Sequence, residues 1–223
     1  MVNKYIFVTT LILDHMKKTI FYTVSLTLIA FGMTACGGST EASDDTPVTY
    51  QLDASKTNLE WKGIYADDSH SHNGTVKISE GSVTYKGETF ESGSFTVDLK
   101  TIESDLTPET GSDKLIGHLN SPDFFNSAQF PNVEVKINSI SENEIDATLK
   151  IGGKEMPAKI PVTVKKTDNK LTAKGKFTLD FSSLDLAGFK PNPEVEKEKP
   201  NQYVKPGVEF KLDLVMKAEE AKE

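Results

Sequence analysis

Two histidines close behind a pair of aspartates are the part of this chain that comes nearest to a metal-binding pattern. His70 and His72 flank Ser71, and Asp67 and Asp68 precede them. Imidazole and carboxylate groups bind zinc, but two histidines at positions i and i+2 point to the same side only in an extended segment. We therefore expect no physiological metal here. His72 is interpreted instead as a hydrogen-bonding residue at a strand end or a contact at the rim of a pocket.

The sequence lacks the motifs of common hydrolases and nucleotide-binding enzymes. It has no Gly-x-Ser-x-Gly, no His-Glu-x-x-His and no glycine-rich phosphate loop ahead of a helix. His118 lies in a predicted short helix, where capping or packing fits better than proton transfer. A catalytic carboxylate pair cannot be picked out from many acidic residues without geometry. We expect a protein that is not an enzyme, with an unrecognised hydrolase as the least favoured alternative.

Cys36 is the only cysteine, which excludes an internal disulfide and any multi-cysteine metal site. It follows a basic start at Lys17 and Lys18, an apolar run over 19–32, and the small residue Ala35. This pattern predicts a signal peptide over residues 1–35, too short and polar in its apolar run for a good membrane span. A small residue before a lone cysteine resembles the lipobox of bacterial lipoproteins, so we expect Cys36 to be the lipid attachment site. An ordinary cleavage site with an incidental cysteine is the alternative.

The ends of the chain differ in composition from its body. Residues 1–15 precede the basic start and are consistent with an over-extended reading frame. Residues 37–47 are small and acidic, so residues 36–47 are predicted to be the lipidated cysteine and a flexible tether. A folded domain is predicted over 48–217 and a disordered tail over 218–223. Acylation would place the protein at a bacterial cell-envelope membrane, facing the periplasm or the exterior.

The charge of the chain argues against nucleic acid as a partner. The formal net charge is −8 at pH 7, from 33 acidic and 25 basic residues. A nucleic-acid-binding domain would present a basic surface. Every basic residue is lysine, so the chain has no planar guanidinium for two-point binding of phosphate or carboxylate. A dedicated phosphate-recognition site is therefore not expected.

Strict alternation of apolar and polar residues dominates the body. It runs through residues 171–181, 133–137, 145–151, 160–164 and 210–216, and further strands are indicated at 49–52, 58–65, 74–79, 82–86 and 93–100. Gly81 and Gly87 are expected to interrupt the strands of the first half. About nine short strands with one apolar face predict a sandwich or a closed barrel, and closure best avoids exposed sheet edges.

Two segments do not follow the strand pattern. A short helix is predicted from Ser112 or Asp113 to Leu119, ended by residues 120–122. Residues 183–206 contain four prolines around a charged run and predict a long solvated loop. A loop of this length is often functional, so it is a candidate lid over a barrel mouth; a mobile insertion without a role is the alternative.

Several segments together resemble the YceI-like family of periplasmic, polyisoprenoid-binding, lipocalin-like proteins. The most specific is Lys114-Leu-Ile-Gly-His-Leu-Asn-Ser-Pro-Asp-Phe-Phe-Asn-Ser-Ala-Gln-Phe-Pro131. In order along the chain, His72-Asn-Gly74, Gly93-Ser-Phe-Thr-Val-Asp98, Leu149-Lys-Ile-Gly-Gly-Lys154 and Ile160-Pro-Val162 support it. The resemblance covers about residues 48–216. It implies an all-β, antiparallel lipocalin-like β-barrel of about eight strands with one short helix, and an isoprenoid or related amphiphile inside it. Family members often carry arginines that this chain lacks.

The apolar face of the predicted strands gives the candidate ligand contacts. A barrel of about eight strands is just wide enough to be filled by side chains or to hold one small ligand. We expect no cofactor other than a bound isoprenoid-type lipid. Phe124, Phe125 and Phe130 are expected to plug one barrel end. The predicted interior and rim contacts are Trp61, His72, Phe95, Phe177, Leu179, Phe210 and Leu212.

Two hypotheses for the function follow. The first is non-enzymatic binding and carriage of an isoprenoid or other amphiphilic lipid in a membrane-anchored barrel. The alternative is a stress or interaction lipoprotein whose barrel is filled by side chains and whose partner is another protein. An isologous homodimer is compatible with either, although nothing in the sequence specifies an interface.

Overall fold

The computed structural model describes residues 46–190, 192–199 and 203–219. The predicted signal peptide, Cys36 and the tether up to residue 45 lie outside the described residues. The strands are β1 (Pro47–Leu52), β2 (Asn58–Tyr65), β3 (Ser71–Lys86), β4 (Thr89–Ser104), β5 (Asn132–Ile140), β6 (Glu144–Ile151), β7 (Lys154–Pro161), β8 (Thr163–Thr167), β9 (Lys170–Asp180) and β10 (Val204–Ala218). The α-helices are α1 (Ser112–Asn120) and α2 (Pro193–Glu198).

The ten strands form one antiparallel sheet in the order β7-β6-β5-β4-β3-β1-β10-β9-β8. Strand β2 pairs with both β3 and β10. β1 lies between the same two strands, at a different height along them. β1 and β2 are thus two halves of one interrupted strand. Similarly, β7 pairs with β6 and β8 pairs with β9, with only Val162 between them.

These two interrupted strands explain how the sheet closes. If β1 and β2 are counted as one strand, and β7 and β8 as another, the sheet has eight strands. The β7–β8 strand pairs with β6 at one end of the strand order and with β9 at the other, so the sheet closes on itself. At the seam, a Cβ on Gly175 would lie 2.5 Å from the carbonyl oxygen of Pro161, so only glycine permits this approach. The prediction of an antiparallel lipocalin-like barrel of about eight strands is confirmed.

The expectation that Gly81 interrupts the first half was wrong. β3 runs without interruption from Ser71 to Lys86, with its register shifted between Ile78 and Glu80. Gly81 pairs with Phe95 on β4, and a Cβ there would lie 2.0 Å from the Phe95 ring. The glycine therefore makes room for an aromatic side chain and does not end the strand. Gly87, with φ +57°, does lie in the following turn.

The two ends of the barrel carry different connections. Among the described residues, the mouth end is formed by segments 66–70, 105–131, 152–153, 181–190 and 192–199 and by Tyr203. At the closed end, the turns at 87–88, 141–143 and 168–169 are short, and β1 begins there with Pro47 opposite Lys86. The long connections are therefore all at the mouth end.

Side chains fill the closed end. Tyr50 and Met216 are almost fully buried, and the Tyr50 hydroxyl donates a hydrogen bond to the carbonyl oxygen of Thr167 at 2.7 Å. The Tyr50 and Tyr85 rings meet edge to face at 6.2 Å, and burial raises the pKa of both phenols. Such a packed layer closes this half of the barrel to small molecules.

The helix prediction is confirmed, with a different start. α1 begins after Gly111, whose φ of 105° provides the left-handed turn that leads out of a preceding short 3₁₀ turn. Ser112 is thus the first helical residue and makes no side-chain cap. The helix connects β4 to β5 across the mouth end.

The prediction of a solvated loop over 183–206 was wrong for its first part. Leu184, Leu186 and Phe189 are buried, because this part turns back over the mouth end as two short 3₁₀ turns. We call residues 181–190 the strap. The α2 helix that follows is exposed.

Candidate functional site

A cavity of about 390 Å³ lies inside the barrel, between the filled closed end and the mouth end. Its volume is within the range of small-molecule sites, about 300–1,000 Å³. Its walls are aliphatic and aromatic, and among the described lining residues there is no Asp, Glu, Lys or Arg. An uncharged, apolar enclosure of this size favours an apolar ligand over a polar one.

The structure brings all seven sequence-predicted residues to this cavity. Phe95 is buried, whereas the other six are half-buried, although they point into the barrel. Phe177 on β9 and Phe210 on β10 are register partners, and their rings stack at 5.6 Å with an interplanar angle of 22°. That these side chains contact a ligand stays a prediction. The seven are Trp61, His72, Phe95, Phe177, Leu179, Phe210 and Leu212.

Aromatic rings from two connections cover the mouth end. Phe189 in the strap lies 5.3 Å from Phe124, 5.5 Å from Phe125 and 5.0 Å from Phe181, measured between ring centroids. All four rings line the cavity. Phe124 and Phe125 are therefore walls as well as a cover, while Phe130 is not among the lining residues and packs beside Gly153.

The strap is fixed to the turn after α1. The backbone N–H of Gly188 donates to the carbonyl oxygen of Asp123 at 2.6 Å. A Cβ on Gly188 would lie 2.5 Å from the Phe124 ring, so the glycine allows the two connections to lie in direct contact. Lys154 and Lys190 both pair with Asp185, and these lysines, Lys190 first, lower the pKa of its carboxyl group.

The polar groups of the cavity wall come mostly from the mouth end. The Tyr65 hydroxyl and the His72 Nε2 atom are hydrogen-bonded at 3.1 Å, and the two rings meet edge to face at 5.5 Å. His118 on α1, which is exposed, and Tyr203 also line the cavity. Deeper in the barrel, the Trp61 Nε1–H donates to the carbonyl oxygen of Thr75 at 3.3 Å. The cavity therefore has an apolar interior and a polar entrance.

Sequence reasoning missed part of this entrance. Tyr65 could have been found, because it continues the alternation that places Trp61 inward along β2. His118 was assigned to capping or packing, and the structure also places it at the cavity. Phe189 and Tyr203 lie where the sequence has no periodic pattern, so nothing local indicated their direction.

Two features are absent from the described part of the chain. Among these residues, no group of three or more His, Cys, Asp or Glu is arranged to hold a metal ion. Within the same residues, no helix combines the length and apolar character needed to cross a membrane.

Comparisons with known proteins agree with the architecture. A crystal structure of Burkholderia cenocepacia BcnA has 18% sequence identity and a TM-score of 0.55, covering 74% of this chain and 98% of that one. A polyisoprenoid binding domain from Saccharophagus degradans, implicated in plant cell wall breakdown, has 14% identity and a TM-score of 0.52, covering 76% and 98%. At these identities the likeness shows the fold alone.

Among curated proteins, no sequence matches this chain. The family model of the YceI-like domain matches residues 50–216, which is nearly the whole barrel from β1 to β10. The chain therefore belongs to the YceI-like family, as the resemblance of its motifs implied.

Proposed function

We propose that this protein binds and carries an amphiphilic lipid with an isoprenoid-like tail, without covalent chemistry. The observation that carries the proposal is the uncharged, apolar cavity of about 390 Å³ in a barrel whose closed end is already filled. The Saccharophagus degradans domain with the same fold is described as polyisoprenoid binding, which supports this ligand class.

The energetics of burial are sufficient for such a ligand. Each buried methylene group contributes about 0.8 kcal/mol, so one five-carbon isoprene unit contributes on the order of 4 kcal/mol. Association itself costs about 4–15 kcal/mol. Burial of a few units therefore offsets this cost, without any charged contact. The cavity also argues against a barrel filled throughout by side chains.

The proposal includes a location. Acylation of Cys36 would hold the barrel at a cell-envelope membrane, with the domain in the periplasm or at the exterior. A lipid carrier is useful at such a surface, because its ligand is insoluble in the water between membranes. The sequence pattern around Cys36 supports this placement.

Native mass spectrometry tests the binding directly. The protein is expressed from the full sequence in a bacterial periplasm, and its mass is measured before and after solvent extraction of lipids. A reproducible one-to-one adduct of a polyprenyl or quinone-like lipid is the expected result. A mass without adduct, together with no uptake of offered polyprenyl lipids, would overturn the proposal and favour the protein-interaction alternative.

A further inference from the structure

We propose that the head group of the bound amphiphile is uncharged and hydrogen-bonding, and that Tyr65 and His72 bind it at the mouth. This inference rests on the proposed function, and it specifies the ligand class of the same cavity. It excludes phosphate-headed and carboxylate-headed lipids as preferred ligands.

The first step is the position of the polar pair. Tyr65 is the last residue of β2, and His72 is the second residue of β3, so both lie where the barrel wall meets the mouth end. Both side chains are half-buried and line the cavity. A tail that enters the apolar interior would therefore leave its head group beside this pair.

The second step is what the pair offers. One hydrogen bond of 3.1 Å joins the Tyr65 hydroxyl to His72 Nε2. A phenol has one donor and two acceptor sites, and an imidazole has a second ring nitrogen, so further hydrogen-bonding capacity remains in either tautomer. The pair can donate to a carbonyl oxygen or accept from a hydroxyl group. Alcohol, phenol, quinone and amide head groups all meet this requirement.

The third step is the absence of a counter-charge for an anion. Among the described lining residues there is no lysine. Lys190 in the strap pairs with Asp185, as does Lys154 at the start of β7, and Lys205 near the start of β10 pairs with Asp68. Burying an anionic head group without a partner is strongly unfavourable.

The charge of the segments around the mouth also disfavours an anionic head group. Segments 66–70, 105–131, 152–153, 181–190 and 192–199 together contain ten acidic residues and four lysines. This excess of negative charge creates a potential that repels an approaching phosphate or carboxylate. An uncharged head group is not affected by it.

The test compares three ligands that share one fifteen-carbon tail. Farnesol has an uncharged hydroxyl, farnesyl phosphate has an anionic head, and farnesene has no head group. Trp61 is the only tryptophan of the chain and lines the cavity, so its fluorescence reports occupancy. Titrations use the protein expressed from the full sequence at about pH 8.

Farnesol is expected to bind at least about tenfold more tightly than farnesyl phosphate, because the described cavity wall offers the phosphate no lysine as a counter-charge. Equal or tighter binding of farnesyl phosphate would overturn this inference while leaving the proposed function in place. Binding of none of the three ligands would overturn the proposed function and the inference with it.

Tyr65→Phe tests the assigned residues. It removes the hydroxyl and retains the ring, so farnesol affinity should fall by about three- to tenfold while farnesene affinity is unchanged. Tyr85→Phe at the closed end is the matched control, because Tyr85 does not line the cavity. Unchanged farnesol affinity in Tyr65→Phe would overturn the assignment of the head group to this pair.

Discussion

At the scale of single residues, the inner face of the barrel consists of apolar side chains that are only half-buried. Phe177, Leu179, Phe210 and Leu212 point inward, yet each retains access to the cavity. At the closed end, Tyr50 and Met216 on the same side of the sheet are almost fully buried. Inner side chains at the closed end face other side chains, whereas those nearer the mouth face the cavity.

Phe177→Asp tests the inward placement of this face. The introduced carboxylate would lie beside the Phe210 ring in an apolar wall, and we expect a loss of more than about 2 kcal/mol of unfolding free energy or the loss of lipid uptake. Chemical denaturation and Trp61 fluorescence measure the two effects. Lys176→Asp, at the preceding position, whose side chain faces outward, is the control. Wild-type stability and uptake in Phe177→Asp would refute the placement.

Asp53 links the break between β1 and β2 to β10 and gives a pH-dependent prediction. Hydrogen bonds from Lys217 and Ser55 lower the pKa of its carboxyl group from 3.8 to about 2. A lowered folded-state pKa stabilises the fold above the unfolded pKa, and this contribution is lost as the pH falls toward 2. Asp53→Asn should therefore be less stable than wild type at neutral pH, and the difference should shrink between pH 4 and pH 2. Urea denaturation across this range measures it, and a difference independent of pH would contradict the assignment.

At the scale of elements, the strap and the turn after α1 form one cover over the cavity. The Gly188 N–H donates to Asp123, and the Phe189 ring contacts three other aromatic rings. These contacts join two connections that are far apart in sequence. We therefore expect the strap to open only when this interface separates.

Gly188→Ala tests the interface. The new Cβ would lie 2.5 Å from the Phe124 ring, so the ring or the strap must move, at a cost of about 1–3 kcal/mol. Amide hydrogen exchange over residues 184–190 should accelerate. Gly117→Ala on α1 is the control, because its Cβ meets open space and alanine favours the helix by about 1 kcal/mol. Equal exchange rates in both variants would show that the contact does not hold the strap.

The strands and the strap show which parts of the fold the sequence could predict. Alternation identified the strands and the inward direction of residues such as Phe177, because the pleat of a strand fixes which face a side chain takes. It could not predict the continuity of β3 through Gly81, which depends on Phe95 from the neighbouring strand. Nor could it predict the burial of Leu184 and Phe189, because the strap is irregular and its contacts come from distant parts of the chain.

At the scale of the whole molecule, closure depends on two interrupted strands. β1 and β2 share one place in the sheet, and β7 and β8 pair with opposite edges. The sequence patterns predicted the number of strands to within one or two. They could not predict which strands pair, because paired strands can lie far apart in the sequence. A homodimer stays a prediction, which light scattering of the purified protein would test.

Cys36→Ser tests the predicted attachment to a membrane. Serine cannot carry the thioether-linked lipid, so the variant should move from the membrane fraction to the soluble fraction of the cell envelope. Fractionation followed by immunoblotting measures this distribution. Ser43→Ala in the predicted tether is the control and should remain with the membrane. Unchanged membrane retention of Cys36→Ser would count against acylation.

Strand β1 begins at the closed end, so it enters the barrel on the side away from the cavity entrance. The packed layer around Tyr50 and Met216 lies between that point and the cavity. A label or fusion partner joined on the amino-terminal side of β1 is therefore expected to leave the mouth accessible to a ligand.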